Sequence, residues 1–198
     1  MEQEDMTMNK KEQKELERQQ RQRERDRRIK LKKIKSLLPW LVAVLVIVGA
    51  VYWLTQWAKQ KEAARPGESI SIMGTEHISA DAPVVTYNSN PPTSGPHAGP
   101  APWGMSETVV PDINAIHNLE HGGIWITYKD LPAEEVEQLR QIADQNSQSV
   151  LVSPRENNDA TIAVASWGRL MTLDTADSVK IQEFIDKNKN RSPEPLAR

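Results

Sequence analysis

The side chains best suited to chemistry in this chain are four histidines and a glutamate that lie close together. His77, His97, His117 and His121 all fall between Arg65 and Lys129, an interval with no lysine or arginine. The same interval carries Glu68, Glu76, Asp81, Glu107, Asp112 and Glu120. Imidazoles and carboxylates without a fixed cation create a potential that favours a bound metal ion. The sharpest spacing is His117-Asn118-Leu119-Glu120-His121. On a helix, the two histidines emerge on one face about a turn apart. Glu120 is then near enough to ligate, or to take a proton from a bound water. On a strand the two histidines would still share a face, with Glu120 on the other. Asp112 is placed to cap such a helix over Ile113–His121, and Gly122 to end it.

A third ligand has to come from elsewhere, and His97 is the best candidate because Pro96 stiffens its backbone. The predicted metal set is therefore His97, His117, Glu120 and His121. Imidazole with carboxylate suits zinc, whereas imidazole with thioether suits copper, for which Met105 is the nearest methionine in sequence. A structural alternative stands beside this: the histidines hydrogen-bond carbonyls and Glu120 only neutralises them. The chain has no cysteine, which excludes disulfides, thiolate zinc sites and thiol catalysis.

These residues sit in Asn88–Gly123, a stretch with six prolines and no lysine or arginine. Such a loop suits an ordered structure more than a flexible linker. Around it, strands are predicted at Ser69–Met73, Pro83–Tyr87, Gly123–Tyr128, Ser149–Ser153 and Ala160–Trp167. Two amphipathic helices follow from the apolar spacing. Pro132–Asn146 should bury Val136, Leu139, Ile142 and Ala143. Thr175–Asn188 should bury Val179, Ile181, Phe184 and Ile185, with Asp174 or Thr175 as cap. The order β-α-β-β-α from Gly123 gives an α+β domain: a short, mostly antiparallel sheet with helices on one face.

Upstream, Leu37 to Trp57 has no charged residue. At about 1.5 Å per residue it spans roughly 30 Å, the thickness of a bilayer's hydrocarbon core. Trp40 lies near one end and Tyr52, Trp53 and Trp57 near the other, where aromatic rings favour the interface. Pro39 fits the first turn of such a helix. A cleaved signal peptide would have a shorter apolar stretch, and Ala63-Ala64 is a weak cleavage site. Residues 18–35 carry ten Lys/Arg, against three in the twenty residues after the span. This places the N-terminus in the cytoplasm and the C-terminal part outside a plasma membrane. The predicted organisation is a basic cytoplasmic arm (1–36), a transmembrane helix (37–57), a stalk (58–67), an outer α+β domain (68–190) and a disordered tail (191–198).

The arm is rich in helix formers, with Glu17–Arg21 and Glu24–Arg28 as supporting pairs. Its partner beyond the lipid bilayer is either anionic headgroups or nothing at all. It lacks the aromatic residues that would interleave charge for nucleic-acid binding.

Two phrases carry a resemblance. They are Tyr87-Asn88-Ser89-Asn90-Pro91-Pro92-Thr93-Ser94-Gly95-Pro96-His97 with Trp103-Gly104, and His117-Asn118-Leu119-Glu120-His121-Gly122-Gly123. Through them the chain resembles the bacterial membrane-anchored proteins called domain of unknown function 3105, over roughly residues 70–187. The resemblance implies a small domain behind one N-terminal transmembrane helix, with no established activity. The functional expectation is an outer domain binding zinc or copper, more readily a binding module than an enzyme. The alternatives are an assembly module for an unknown envelope protein, with Trp103, Trp125 and Trp167 as core or contact patch, and a small metallohydrolase with Glu120 as base.

Overall fold

The computed structural model describes residues 2–83 and 85–196. The chain divides into two units, Met1–Ala63 and Ala64–Arg198.

The first unit is one helix, α1 (Glu2–Ala63). It contains an apolar stretch long enough to cross a membrane, with a mean hydropathy of 2.4 over its most apolar window. The side chains from Leu37 to Trp57 are exposed apart from half-buried Gln56. Two boundaries differ from expectation. Residues 58–63, predicted as stalk, continue the helix because Ala, Lys, Gln and Glu all favour it. Pro39 is interior rather than in a first turn, because the basic arm is helical too. The Glu17–Arg21 pair forms at 3.6 Å.

The second unit is α+β. Its elements are β1 (Glu68–Ser69), β2 (Gly104–Met105), α2 (Asp112–Glu120), β3 (Ile124–Tyr128), α3 (Ala133–Gln145), β4 (Val150–Pro154), β5 (Ile162–Ser166), β6 (Arg169–Leu173) and α4 (Ser178–Asn188). The sheet order is β1-β6-β5-β3-β4-β2. Pairings β3–β5, β5–β6 and β1–β6 are antiparallel, and β3–β4 and β2–β4 parallel. A parallel pair needs a crossover, and α3 supplies it between β3 and β4.

The pleat sorts the strand side chains. Ile124, Ile126, Val150, Val152, Ile162 and Val164 meet Leu139, Ile142, Ala143, Ile181, Phe184 and Ile185 from α3 and α4. Trp125, Leu151 and Ala165 point the other way, into a second cluster with Ala115, Ile116 and Leu119 of α2 and with Trp167. So α3 and α4 share one face, as predicted, and α2 with the proline-rich loop closes the opposite one.

Several expected details are corrected. Val179 is 80% exposed, because α4 begins at Ser178 and turns that position outward. Its cap is Asp177, whose side chain accepts the Lys180 N–H at 3.1 Å. Strand β1 is only two residues long, and the described part of Pro83–Tyr87 is not strand; Val84 lies outside the described residues. The strands β2 and β6 are additional to those predicted. In the tail, residues 191–196 are not free. The N–H groups of Glu194 and Leu196 donate to the carbonyls of Glu120 and His121, acceptors that the end of α2 leaves unpaired. Residues 197 and 198 lie outside the described residues.

Candidate metal centre

The site is assembled by α2 and by the loop that runs past it. Pro111 stands at the N-cap, so Asp112 caps nothing. Its carboxylate instead takes both arms of Arg155, at 2.9 and 2.8 Å, and this tethers the start of α2. At the far end, the Gly122 N–H donates to Leu119 O and the Gly123 N–H to Asn118 O, at 3.0 and 2.9 Å. This is the paired closure that a left-handed residue after a helix allows, and Gly122 has φ of +89°. His117 and His121 thus flank the last turn of a helix, as their spacing predicts.

The loop is held to α2 by amide side chains. Asn118 accepts the Ala101 N–H at 2.9 Å and donates to Ala101 O at 3.0 Å. Asn114 donates to Gly99 O at 2.6 Å, and the Ala98 N–H donates to Ile113 O at 2.9 Å. From outside, the Tyr87 hydroxyl donates to Pro96 O at 2.8 Å. His97 therefore sits fully buried on a loop fixed on several sides.

These constraints bring the predicted residues together. His97 Nε2 lies 2.9 Å from Glu120 Oε2, and Glu120 is 1% exposed. The ring centroids of His97 and His117 are 5.3 Å apart, and those of His117 and His121 4.6 Å. His117 Nε2 lies 3.0 Å from His121 Nε2. The Nδ1 atoms of His97 and His117 face Gly95 O at 2.8 Å and Ala98 O at 2.9 Å. A carbonyl only accepts, so each Nδ1 carries a proton, and Nε2 is the atom each ring turns inward, toward Glu120 from His97 and toward His121 from His117. Burial, and then the neighbouring His121, push the His117 pKa below the usual imidazole value. That favours the neutral, ligating form.

Two residues outside the predicted set join the cluster. His77 pairs with His97 through a short parallel bridge, and the Ile78 N–H donates to His97 O at 2.8 Å. Its Nε2 lies 3.7 Å from Glu120 Oε2, and its ring centroid 4.5 Å from that of His97. His77, His97 and His117 each offer a nitrogen within 4.8 Å of the others, and Glu120, His121 and Glu194 form a second such group. Sequence gave one hint of His77, its place in the cation-free interval. Glu194 lay in a segment read as disordered.

Other potential ligands and the outer tryptophans lie elsewhere. Met105 and Met171 pack against the α3–α4 side of the core, and the Met73 sulfur receives the Asn88 N–H at 3.2 Å. The glutamates Glu134, Glu135 and Glu137 sit on α3 and Glu183 on α4, on the opposite face of the sheet. Trp125 and Trp167 are core, and Trp103 is half-buried against it. Gly123 lies so close to the Trp103 ring that no side chain fits there, which explains why tryptophan and glycine belong to one architecture.

No curated protein and no solved structure matches this chain. A family model described as Protein of unknown function (DUF3105) matches residues 77–198, opening at His77 and taking in both the loop and the segment after α4. The chain belongs to that family.

Proposed function

We propose that this protein holds a first-row divalent metal ion, zinc before others, on an extracytoplasmic domain tethered to a membrane by α1. The observation that carries the reading is the buried carboxylate of Glu120 facing the Nε2 atoms of His97 and His77, at 2.9 and 3.7 Å. His117, with His121 against it, stands beside them. Burying a carboxylate costs several kcal/mol unless cations or hydrogen bonds compensate it, and an ion among neutral imidazoles does so. The donors are nitrogen and oxygen, with methionine sulfurs engaged elsewhere, which suits zinc better than copper(I). Glu120 faces an imidazole at hydrogen-bond distance and is nearly inaccessible, so a ligand role fits it better than that of a solvent-fed base. The basic run before the apolar stretch supports a cytoplasmic N-terminus in a plasma membrane.

The test uses the full chain in detergent, loaded with zinc, desalted and assayed for metal. One zinc per chain is expected in the wild type. Little is expected in Glu120→Gln, which keeps the shape of the side chain, or in His97→Ala/His117→Ala. At 100-fold excess over Kd the ion should stabilise the fold by about 2.7 kcal/mol, read as a chelator-reversible rise in Tm. Equal zinc content in the wild type and both variants would sink the proposal.

A further inference from the structure

The segment after α4 crosses the open end of α2, and both partners are shaped for the crossing. The Asn190 N–H donates to Gly122 O at 2.8 Å, the Glu194 N–H to Glu120 O at 3.2 Å and the Leu196 N–H to His121 O at 3.0 Å. A Cβ on Gly122 would lie 2.9 Å from Asn190 Cα, so only glycine admits the segment this closely. The result brings the Glu194 carboxylate to 3.7 Å from His121 Nδ1. That nitrogen is shielded from solvent and has no hydrogen-bond partner.

The tautomer explains what a carboxylate is needed for. A neutral histidine that turns Nε2 toward an ion carries its proton on Nδ1, and that N–H needs an acceptor. Gly95 O serves His97 and Ala98 O serves His117. For His121 the acceptor within reach is Glu194. Resting on the metal reading above, we propose that Glu194 is the positioning residue for His121, and that residues 190–196 form a strap that sets how tightly the ion is held. The strap lies at the surface. The Glu194 side chain is 57% exposed and Leu196 69% exposed, so backbone hydrogen bonds rather than buried surface hold it.

The test measures zinc affinity of the full chain in detergent by competition with a chromogenic chelator. Glu194→Ala should still bind one ion, about 10–100-fold more weakly, as loss of an outer-shell carboxylate generally produces. Glu194→Asp should recover part of the affinity, and the metal-free Tm should be the same in all three proteins. Cobalt(II) in place of zinc adds a readout that a merely structural role would not move, a shifted visible band in Glu194→Ala. Equal affinities in wild type and Glu194→Ala overturn the strap while leaving the metal site intact. So does a metal-free Tm lowered in Glu194→Ala and restored by Asp without recovery of affinity. Two ions in the wild type falling to one in Glu194→Ala overturn it by making Glu194 a ligand. A wild type without zinc removes the reading beneath.

Discussion

The sheet of the second unit is closed on its two sides by different materials. On one side α3 and α4 bring leucine, isoleucine, alanine and phenylalanine, down to Leu139, Phe184 and Ile181 at 0% exposure. On the other side α2 and the proline-rich loop bury His97, Asn118 and Glu120 beside Ile116, Leu119 and Trp125. Apolar burial stabilises by roughly 25 cal/mol per Å², whereas a satisfied buried hydrogen bond contributes only about 0.5–1.5 kcal/mol net. The first side therefore stabilises the fold by apolar burial alone. The second spends burial on holding imidazoles at fixed distances.

The largest way to strain that contrast is Phe184→Ala. Truncating a fully buried phenylalanine should cost about 3–5 kcal/mol in urea unfolding and leave the zinc affinity of the folded protein unchanged. A parallel fall in affinity would show that the two sides are not separable. A smaller effect of the opposite kind is expected from Asn118→Ala, which strands the Ala101 N–H and C=O. It should cost about 1–3 kcal/mol and also weaken zinc, because the loop that carries His97 loosens. Lost stability with unaltered zinc uptake would break the comparison.

The smallest effect concerns Tyr87. Burial, and then the Asp112 carboxylate, push its phenol up to about 12. The folded chain therefore keeps this proton after the unfolded chain has lost it near pH 10, and stability falls as pH rises from about 10 toward 12. Tyr87→Phe should flatten that part of the Tm–pH curve. An unchanged slope would mean that burial and Asp112 do not hold the phenol proton in the folded chain.

Sequence reading served the two sides unequally. Apolar periodicity located α3 and α4, and richness in Ile, Val and aromatic residues the three central strands, to within a few residues, because the helices bury one face and the strands bury both. Val179 misled because an apolar residue in register with a stripe can still precede the first buried turn. The juxtaposition of side chains was legible where spacing is local, as with His117, Glu120 and His121 around one helix end. Partners brought in by long-range backbone pairing left almost no local signal. His77 arrives through a single bridge to His97, and Glu194 through hydrogen bonds to the end of α2. Asp112 looked like a cap, but Arg155 offers two charged donors, a stronger attraction than one helix N–H.

Both outermost strands, β1 and β2, are only two residues long. An unpaired strand edge is a template on which a neighbouring molecule can add its own backbone, and brevity is one of the ways proteins blunt it. Copies of this domain meeting at those outermost strands would find only two residues of each to pair with. Short outer strands thus disfavour edge-to-edge clumping wherever copies of the domain are concentrated.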